Sequence, residues 1–386
     1  MKYRLALGSV AAVGFARFSY GLVVPAMREE LGWSLADAGL QTTANGDGYL
    51  IGAIVVALVV RRLGTARSFQ LGMVVTTMSL AATAATSSYE LQLLLRATAG
   101  VAGALVFVSG AVIAARRAAT DRSAITVFFG GAGLGIALSG LVLPLLLDGN
   151  SARWPTAWLL LAAGSLLATI ISWSAATSAP TASEHRAKLG RLWPVGIAYV
   201  LFGAGYIVYL TFLSTYLAGQ HSNARQIAAT WTLLGLAAIL APLVWNRAVT
   251  TWSGARSMAT LIGLQVVAAV LPLLHHSRAT VLASAAIFGL TFLNVPASVA
   301  ALVRRTVPQQ GWTATIGALT VLFAAGQTVS PWPAGFLADH LGASTALAWT
   351  AVLCGAGALT AFSWPTVFSW KAESRRSLES SASPEP

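Results

Sequence analysis

Residues 5–27, LALGSVAAVGFARFSYGLVVPAM, decide what kind of molecule this is, and among them only Arg17 is charged. As a helix rising 1.5 Å per residue, the stretch spans about 35 Å, against a bilayer core of about 30 Å. It exceeds the apolar segment of a secretory signal, which runs about 7 to 15 residues, so it reads as a first membrane-spanning helix. Apolar runs bounded by charge, Pro or polar clusters predict eleven more, at 39–60, 68–86, 91–115, 123–147, 154–176, 193–217, 225–246, 257–274, 279–302, 313–338 and 343–366.

The composition of the 386 residues demands the same answer: 56% are hydrophobic and 9% charged, with a mean hydropathy of +0.72. Soluble domains carry about 25% charged residues, so the missing polar surface must face lipid. Twelve spans of about 20 residues leave about 11 for each connection, which excludes a sizeable extramembrane domain. A net charge of +12 would suit a nucleic-acid binder if the basic residues shared one solvated face. Here they punctuate apolar runs, so no nucleic-acid partner is expected. Cys354 is the only cysteine, which excludes an intrachain disulfide and a Cys-cluster metal site. His185, His221, His275, His276 and His340 lie in predicted loops or helix ends, with no Cys or carboxylate at ligand spacing, and no GxxxxGK[ST] cradle is present. The expectation is therefore no metal, no cofactor and no enzyme chemistry.

Orientation follows from the loops. A cytoplasmic N-terminus gathers Lys2, Arg4, Arg61, Arg62, Arg67, Arg116, Arg117, Arg122, Arg186, Lys188, Arg191, Arg247, Arg256, Arg304, Arg305, Lys371, Arg375 and Arg376 inside, leaving Arg28, Arg153, Arg225 and Arg278 outside. That bias puts both termini in the cytoplasm. The polar segment 177–192 divides a six-helix unit at 1–176 from another at 193–366, and the Ser-, Pro- and Glu-rich stretch 367–386 reads as a disordered tail. A displacement of about 190 residues carries Gly14, Tyr20 and Arg67 onto Gly203, Tyr209 and Arg256, and Gly131 and Gly140 onto Gly326 and Gly335, the pattern of a duplicated unit.

Ionisable groups at the bilayer centre cost several kcal/mol and mark function by default. Arg17 lies about 18 Å up the first helix, Asp47 about 12 Å down the second and Arg96 about 8 Å into the fourth, depths that permit one cluster. Asp47 then reads either as a protonatable coupling switch or as one half of a permanent ion pair with Arg17. Two arginines against one carboxylate leave the cluster positive, which suits a substrate carboxylate held bidentately. Tyr20, Asn45, Tyr49, Tyr206, Tyr209, Asn294 and Gln327 add polar groups at helical spacing, as substrate contacts or interhelical hydrogen bonds. The displacement that relates the halves places Arg17 on Tyr206.

These residues resemble the major facilitator superfamily of twelve-helix secondary transporters. Arg61-Arg62-Leu63-Gly64-Thr65-Ala66-Arg67 resembles its cytoplasmic motif A, with Arg61 in place of the usual aspartate. LLLRATAGVAGA resembles motif B, whose arginine and glycine match Arg96 and Gly100. The fifth helix, with Gly131, Gly135 and Gly140, resembles motif C, Ile136 standing for its proline; the eleventh keeps a proline, Pro331, and continues through Gly335 to Asp339. GFARFSYGLVVP and ANGDGY are similar to the bacterial YbfB/YjiJ-type branch, which usually has an apolar residue at the position of Asp47. The resemblance implies an all-α protein of two six-helix bundles in a bacterial inner membrane, acting as a monomer on a small-molecule substrate and protons within the lipid bilayer. It also implies a rocking gate at Arg61, Arg62, Gly64, Arg67, Gly131, Gly135, Gly326, Pro331 and Gly335. The expected activity is alternating access by proton-coupled export through Asp47. The alternatives are uptake or exchange of an organic anion on Arg17 and Arg96, and a membrane sensor or scaffold that transports nothing.

Overall fold

A computed structural model describes residues 1–121, 123–176, 190, 192–252 and 254–380 of the chain, without side chains at 254, 313 and 365–380. Most of the predicted central loop, 177–189 and 191, and the last residues of the predicted tail, 381–386, lie outside the described residues. The described residues form helices and no strand. In chain order they are α1 (Lys2–Leu31), α2 (Leu35–Leu63), α3 (Thr65–Ala84), α4 (Tyr89–Arg117), α5 (Ala124–Leu146), α6 (Trp154–Ser172), α7 (Trp193–Gly219), α8 (Ala224–Thr251), α9 (Gly254–Leu274), α10 (Arg278–Thr306), α11 (Gln309–Leu341) and α12 (Ser344–Ser380).

Eleven of these are both long and apolar enough to cross a membrane. The exception among the expected twelve is α3, 20 residues long, which spends its inner face on Ser68, Thr76, Ser79 and Thr83, all buried against neighbouring helices. The bounds of α12 run across most of the stretch 367–386, where composition suggested disorder.

Two helices change geometry where they cross the middle of the bundle. In α1 the segment Val10–Phe18 is π-helical, and the Ser19 hydroxyl donates to Gly14 O at 2.8 Å as the regular helix resumes. In α11 the run Trp312–Val329 stops at Ser330 and restarts at Pro331, because a proline has no N–H for the preceding turn and its ring clashes with it. A third interruption, at Leu293 and Asn294, divides α10.

Within the first six helices α1 packs on α5, where Gly135 meets Gly14; within the last six α7 packs on α11, where Gly203 meets Phe323 and Gly326 meets Val200. The matched glycines therefore serve the same pair of helices in each half. Contact between the halves runs along two main seams, α5 on α8 and α2 on α11. In the first, Gly133 abuts Gly235 and Gly140 abuts Trp231; in the second, Gly39 abuts Pro331, Gly46 abuts Thr328 and Gly335 abuts Leu35.

Both seams close toward one end of the bundle. There Asp339 accepts from the N–H groups of Leu35 at 2.7 Å and Ala36 at 2.9 Å, so the end of α11 caps the start of α2. A carboxylate at a helix N-terminus satisfies unpaired donors and meets the positive end of the helix dipole. Toward the other end the glycines are less crowded. There a side chain added at Gly130, three residues before Gly133, or at Gly317, eleven before Thr328, would meet nothing within 4 Å.

These contacts revise the expected gate. Pro331 and Gly335 lie on a seam between halves, whereas Gly131 and Gly135 pack on α1 and Gly326 on α7, inside their own halves. Helical geometry explains the swap, since residues two apart in α5, such as Gly131 and Gly133, face different partners. Arg61, Arg62 and Arg67 are exposed around the α2–α3 turn, which Gly64 makes at φ +82°.

Candidate functional site

The π-helical turn of α1 directs Arg17 at the opposite half. Its Nη2 donates to Oε1 of Gln327, which sits on the last turn of α11 before the break at Ser330. The Tyr206 hydroxyl of α7 donates to the same Oε1 at 2.7 Å. Beneath Arg17 the guanidinium carbon lies 4.8 Å from the centre of the Tyr49 ring, a cation–π contact from α2. Gln327, Tyr206 and Tyr49 are buried. Arg17, Tyr49, Tyr206 and Gln327, read from the sequence as substrate candidates, are thus brought together.

Arg96 is nearby but points elsewhere. It is 2% exposed, donates through Nη1 to Ala16 O at 2.6 Å, and lies over Tyr20 at 4.5 Å and Trp158 at 5.6 Å. Asn45 holds the α4 backbone behind it, donating to Arg96 O at 3.1 Å, while the Tyr20 hydroxyl donates to Ala38 O at 3.0 Å. Arg96, Tyr20, Asn45 and Trp158 therefore build a cage against the residue preceding Arg17. Because Ala16 O is fixed by a charged donor, Arg96 positions the turn that presents Arg17.

Neither arginine has a carboxylate within 4 Å among the described residues. Buried Nε of Arg17, and buried Nε and Nη2 of Arg96, have no hydrogen-bond partner among the described residues. Two guanidinium groups, one buried and one half-buried, thus sit in the membrane interior with aromatic faces, an amide and carbonyls for company. Their field is uncompensated, and attraction to an anion is strong in such a low-dielectric site.

Asp47 does not join them. Its side chain is exposed, and the geometry of α2 says why. Asn45 and Gly48 face α4, Gly46 and Thr43 face α11, and Tyr49 faces Arg17. At 100° per residue Asp47 is left on the outer face with the exposed Ile51, Ile54 and Leu58. The sequence reading matched depth; the azimuth differs by nearly half a turn. The expected Arg17–Asp47 contact is absent among the described residues, as an ion pair and as a coupling cluster alike.

Two further candidates stand apart. The Tyr209 hydroxyl pairs with Ser284 Oγ at 2.7 Å and its ring stacks on Phe288 at 3.9 Å, contacts internal to the second half. Asn294 lies at the interruption of α10 with a buried Nδ2 that has no hydrogen-bond partner among the described residues.

The sequence reading missed the aromatic side of the site. Tyr199, Phe202 and Tyr206 of α7 stack with Phe323 of α11, and Tyr206 also with Phe292 of α10, at centroid separations from 4.6 to 6.1 Å, and Phe18 of α1 meets Tyr206 and Phe292 edge-on. Phe18 directly follows Arg17, so α1 brings a cation and a ring to the same wall. The spacing of Tyr199, Phe202 and Tyr206, three and four residues apart, was the available signal.

Comparison with known proteins agrees with this architecture. No curated protein matches the chain by sequence. Among solved structures it is similar to the nucleoside transporter NupG, with a TM-score of 0.71 and 14% identity over 95% of this chain and 99% of that one. It is likewise similar to a bacterial homologue of the human lysosomal transporter Spinster in an inward-facing, occupied conformation, with a TM-score of 0.69 and 16% identity over 95% and 96%. At that identity both show the fold alone. The family model described as "Uncharacterised MFS-type transporter YbfB" matches residues 9–363. A match over nearly the whole chain makes this protein a multi-pass membrane transporter of the YbfB-type family in the major facilitator superfamily.

Proposed function

We propose that this secondary transporter carries an organic anion, taken up or exchanged by alternating access, with Arg17 as the anion-binding group. The observation that carries the reading is the pair Arg17 and Arg96 in the membrane interior with no carboxylate beside either among the described residues. A guanidinium there is costly unless an anion repays its desolvation, and a substrate carboxylate does so with two parallel hydrogen bonds. Tyr49 and Tyr206 flank the site, and Phe18, Phe292 and Phe323 give the solute's body an aromatic surface.

Proton-coupled export through Asp47 draws less support, because Asp47 is exposed on the far side of α2. The positive-inside bias supports a bacterial inner-membrane protein with cytoplasmic termini, an orientation in which the Asp339 cap faces outward. The monomer is kept as the working assembly.

The test is thermal stabilisation of the purified protein in detergent by organic anions, hydrophobic cations and neutral drugs, at pH 5.5 and 7.5. A ligand at 100 times its dissociation constant adds about 2.7 kcal/mol to stability. The expected result is stabilisation by organic anions that is lost in Arg17→Gln. Stabilisation by amphipathic cations that changes with pH in the wild type and not in Asp47→Asn would instead support proton-coupled export.

A further inference from the structure

The acceptor between Arg17 and Tyr206 belongs to the protein itself. Gln327 Oε1 receives Arg17 Nη2 from the first half and the Tyr206 hydroxyl from the second, while Gln327 Nε2 lies 3.5 Å from Phe323 O of its own helix. Two convergent donors on one oxygen are the contacts an anionic oxygen of a solute would make. Gln327 is 1% exposed, so its amide takes its hydrogen bonds from the protein. Both partners also stand where their helices are irregular: Arg17 on the π-helical segment and Gln327 one turn before the interruption at Ser330 and Pro331. Small rotations at these two places separate the amide from the guanidinium without unwinding a regular helix.

Resting on the anion reading above, we propose that Gln327 is a built-in competitor: its side-chain oxygen occupies the place of one oxygen of the solute's oxyanion, and binding displaces it. A neutral amide accepts more weakly than a carboxylate from a guanidinium, so a charged solute wins the exchange and a neutral isostere does not. Gln327 would thus set the selectivity of the site for charge. The Arg17–Gln327 bond also joins the two halves at mid-membrane, so displacing it loosens the halves when solute is bound.

The experiment uses acetate and acetamide as probes at constant ionic strength, with thermal stability in detergent as the readout. Gln327→Ala clears the place beside Arg17 and Tyr206, and should gain at least tenfold in apparent acetate affinity over the wild type while acetamide has no effect. Gln327→Glu supplies a tethered carboxylate, and should raise the melting temperature and abolish the acetate response. Arg17→Gln combined with Gln327→Ala should not respond to acetate. A residue that merely packs would weaken binding in both single variants; opposite signs mark the competitor. The proposal is overturned if Gln327→Ala binds acetate no better than the wild type, or if Gln327→Glu still responds. If, in addition, neither the wild type nor Gln327→Ala responds to acetate in an Arg17-dependent way, the anion reading falls with it.

Discussion

Arg96 separates stability from function more sharply than Arg17 does. It is a buried cation over Tyr20 and Trp158, with two guanidinium nitrogens lacking hydrogen-bond partners among the described residues. Replacing an unpaired buried charge by an apolar side chain of similar volume removes its desolvation cost, several kcal/mol in the membrane interior. Arg96→Met should therefore keep the melting temperature in detergent at or above that of the wild type, while solute affinity falls because Ala16 and the turn bearing Arg17 lose their anchor. A parallel loss of stability and affinity would mean that the cage is only packing. Arg17→Gln should cost the solute one charge-assisted pair, about 1.5–3 kcal/mol, or roughly tenfold to a hundredfold in Kd by titration. Asp47→Asn, on the opposite face of α2, should leave that Kd within about twofold, the scatter of distant substitutions. What the sequence disclosed at this scale was height: a mid-helix Arg or Asp announces its depth by counting. Azimuth depends on which faces the neighbours claim, and that was settled by Gly46 against Thr328 and Gly48 against Ala97. Those are long-range contacts that local spacing does not contain.

Among the elements, the α2–α11 seam leaves no room for a side chain at its glycines. At Gly39 a Cβ would overlap Pro331 O, and at Gly335 it would overlap Leu35 O. Gly39→Leu should force the seam apart at the closed end. Cys354, the only native thiol, is buried, so a cysteine placed at Thr215, beside the cavity of about 400 Å³ between Pro25, Arg28, Leu35 and Ala343, reports on that opening. Its labelling by a membrane-impermeant maleimide should rise roughly tenfold over Thr215→Cys alone, as a shift of about 1.4 kcal/mol gives. Unchanged labelling would mean that the seam does not gate access. At the opposite end, Lys2 pairs with Asp121 at 2.8 Å, and hydrogen bonds from Lys2 and Ser123 hold the Asp121 carboxyl down to about 2. A depressed folded-state pKa contributes stability above the unfolded value and loses it as pH falls toward 2. Asp121→Asn should accordingly shift the melting temperature equally at every pH from about 5 to 8, a difference readable by scanning fluorimetry. Helix existence was legible because apolar runs of about 20 residues have few alternatives. The capping of α2 by Asp339 was not, since its partner comes from another helix, and neither were the π-helical segment and the break at Leu293.

For the whole molecule, the visible signal was glycines about 190 residues apart, and the matched glycines do serve equivalent helix pairs. The aromatic wall was invisible as a site because Phe in an apolar helix has many uses, and only assembly brings Phe18, Phe292 and Phe323 around Tyr206. The two halves thus contribute unlike polar groups to one place, a cation from α1 and an amide and a hydroxyl from α11 and α7. The measurement that tests this account most directly is uptake into proteoliposomes of a panel of carboxylates and their neutral amides, by the wild type and by Arg17→Gln. Carboxylate uptake that exceeds amide uptake and disappears in Arg17→Gln is the predicted result. Equal uptake of amides, or carboxylate uptake undiminished in Arg17→Gln, would contradict it.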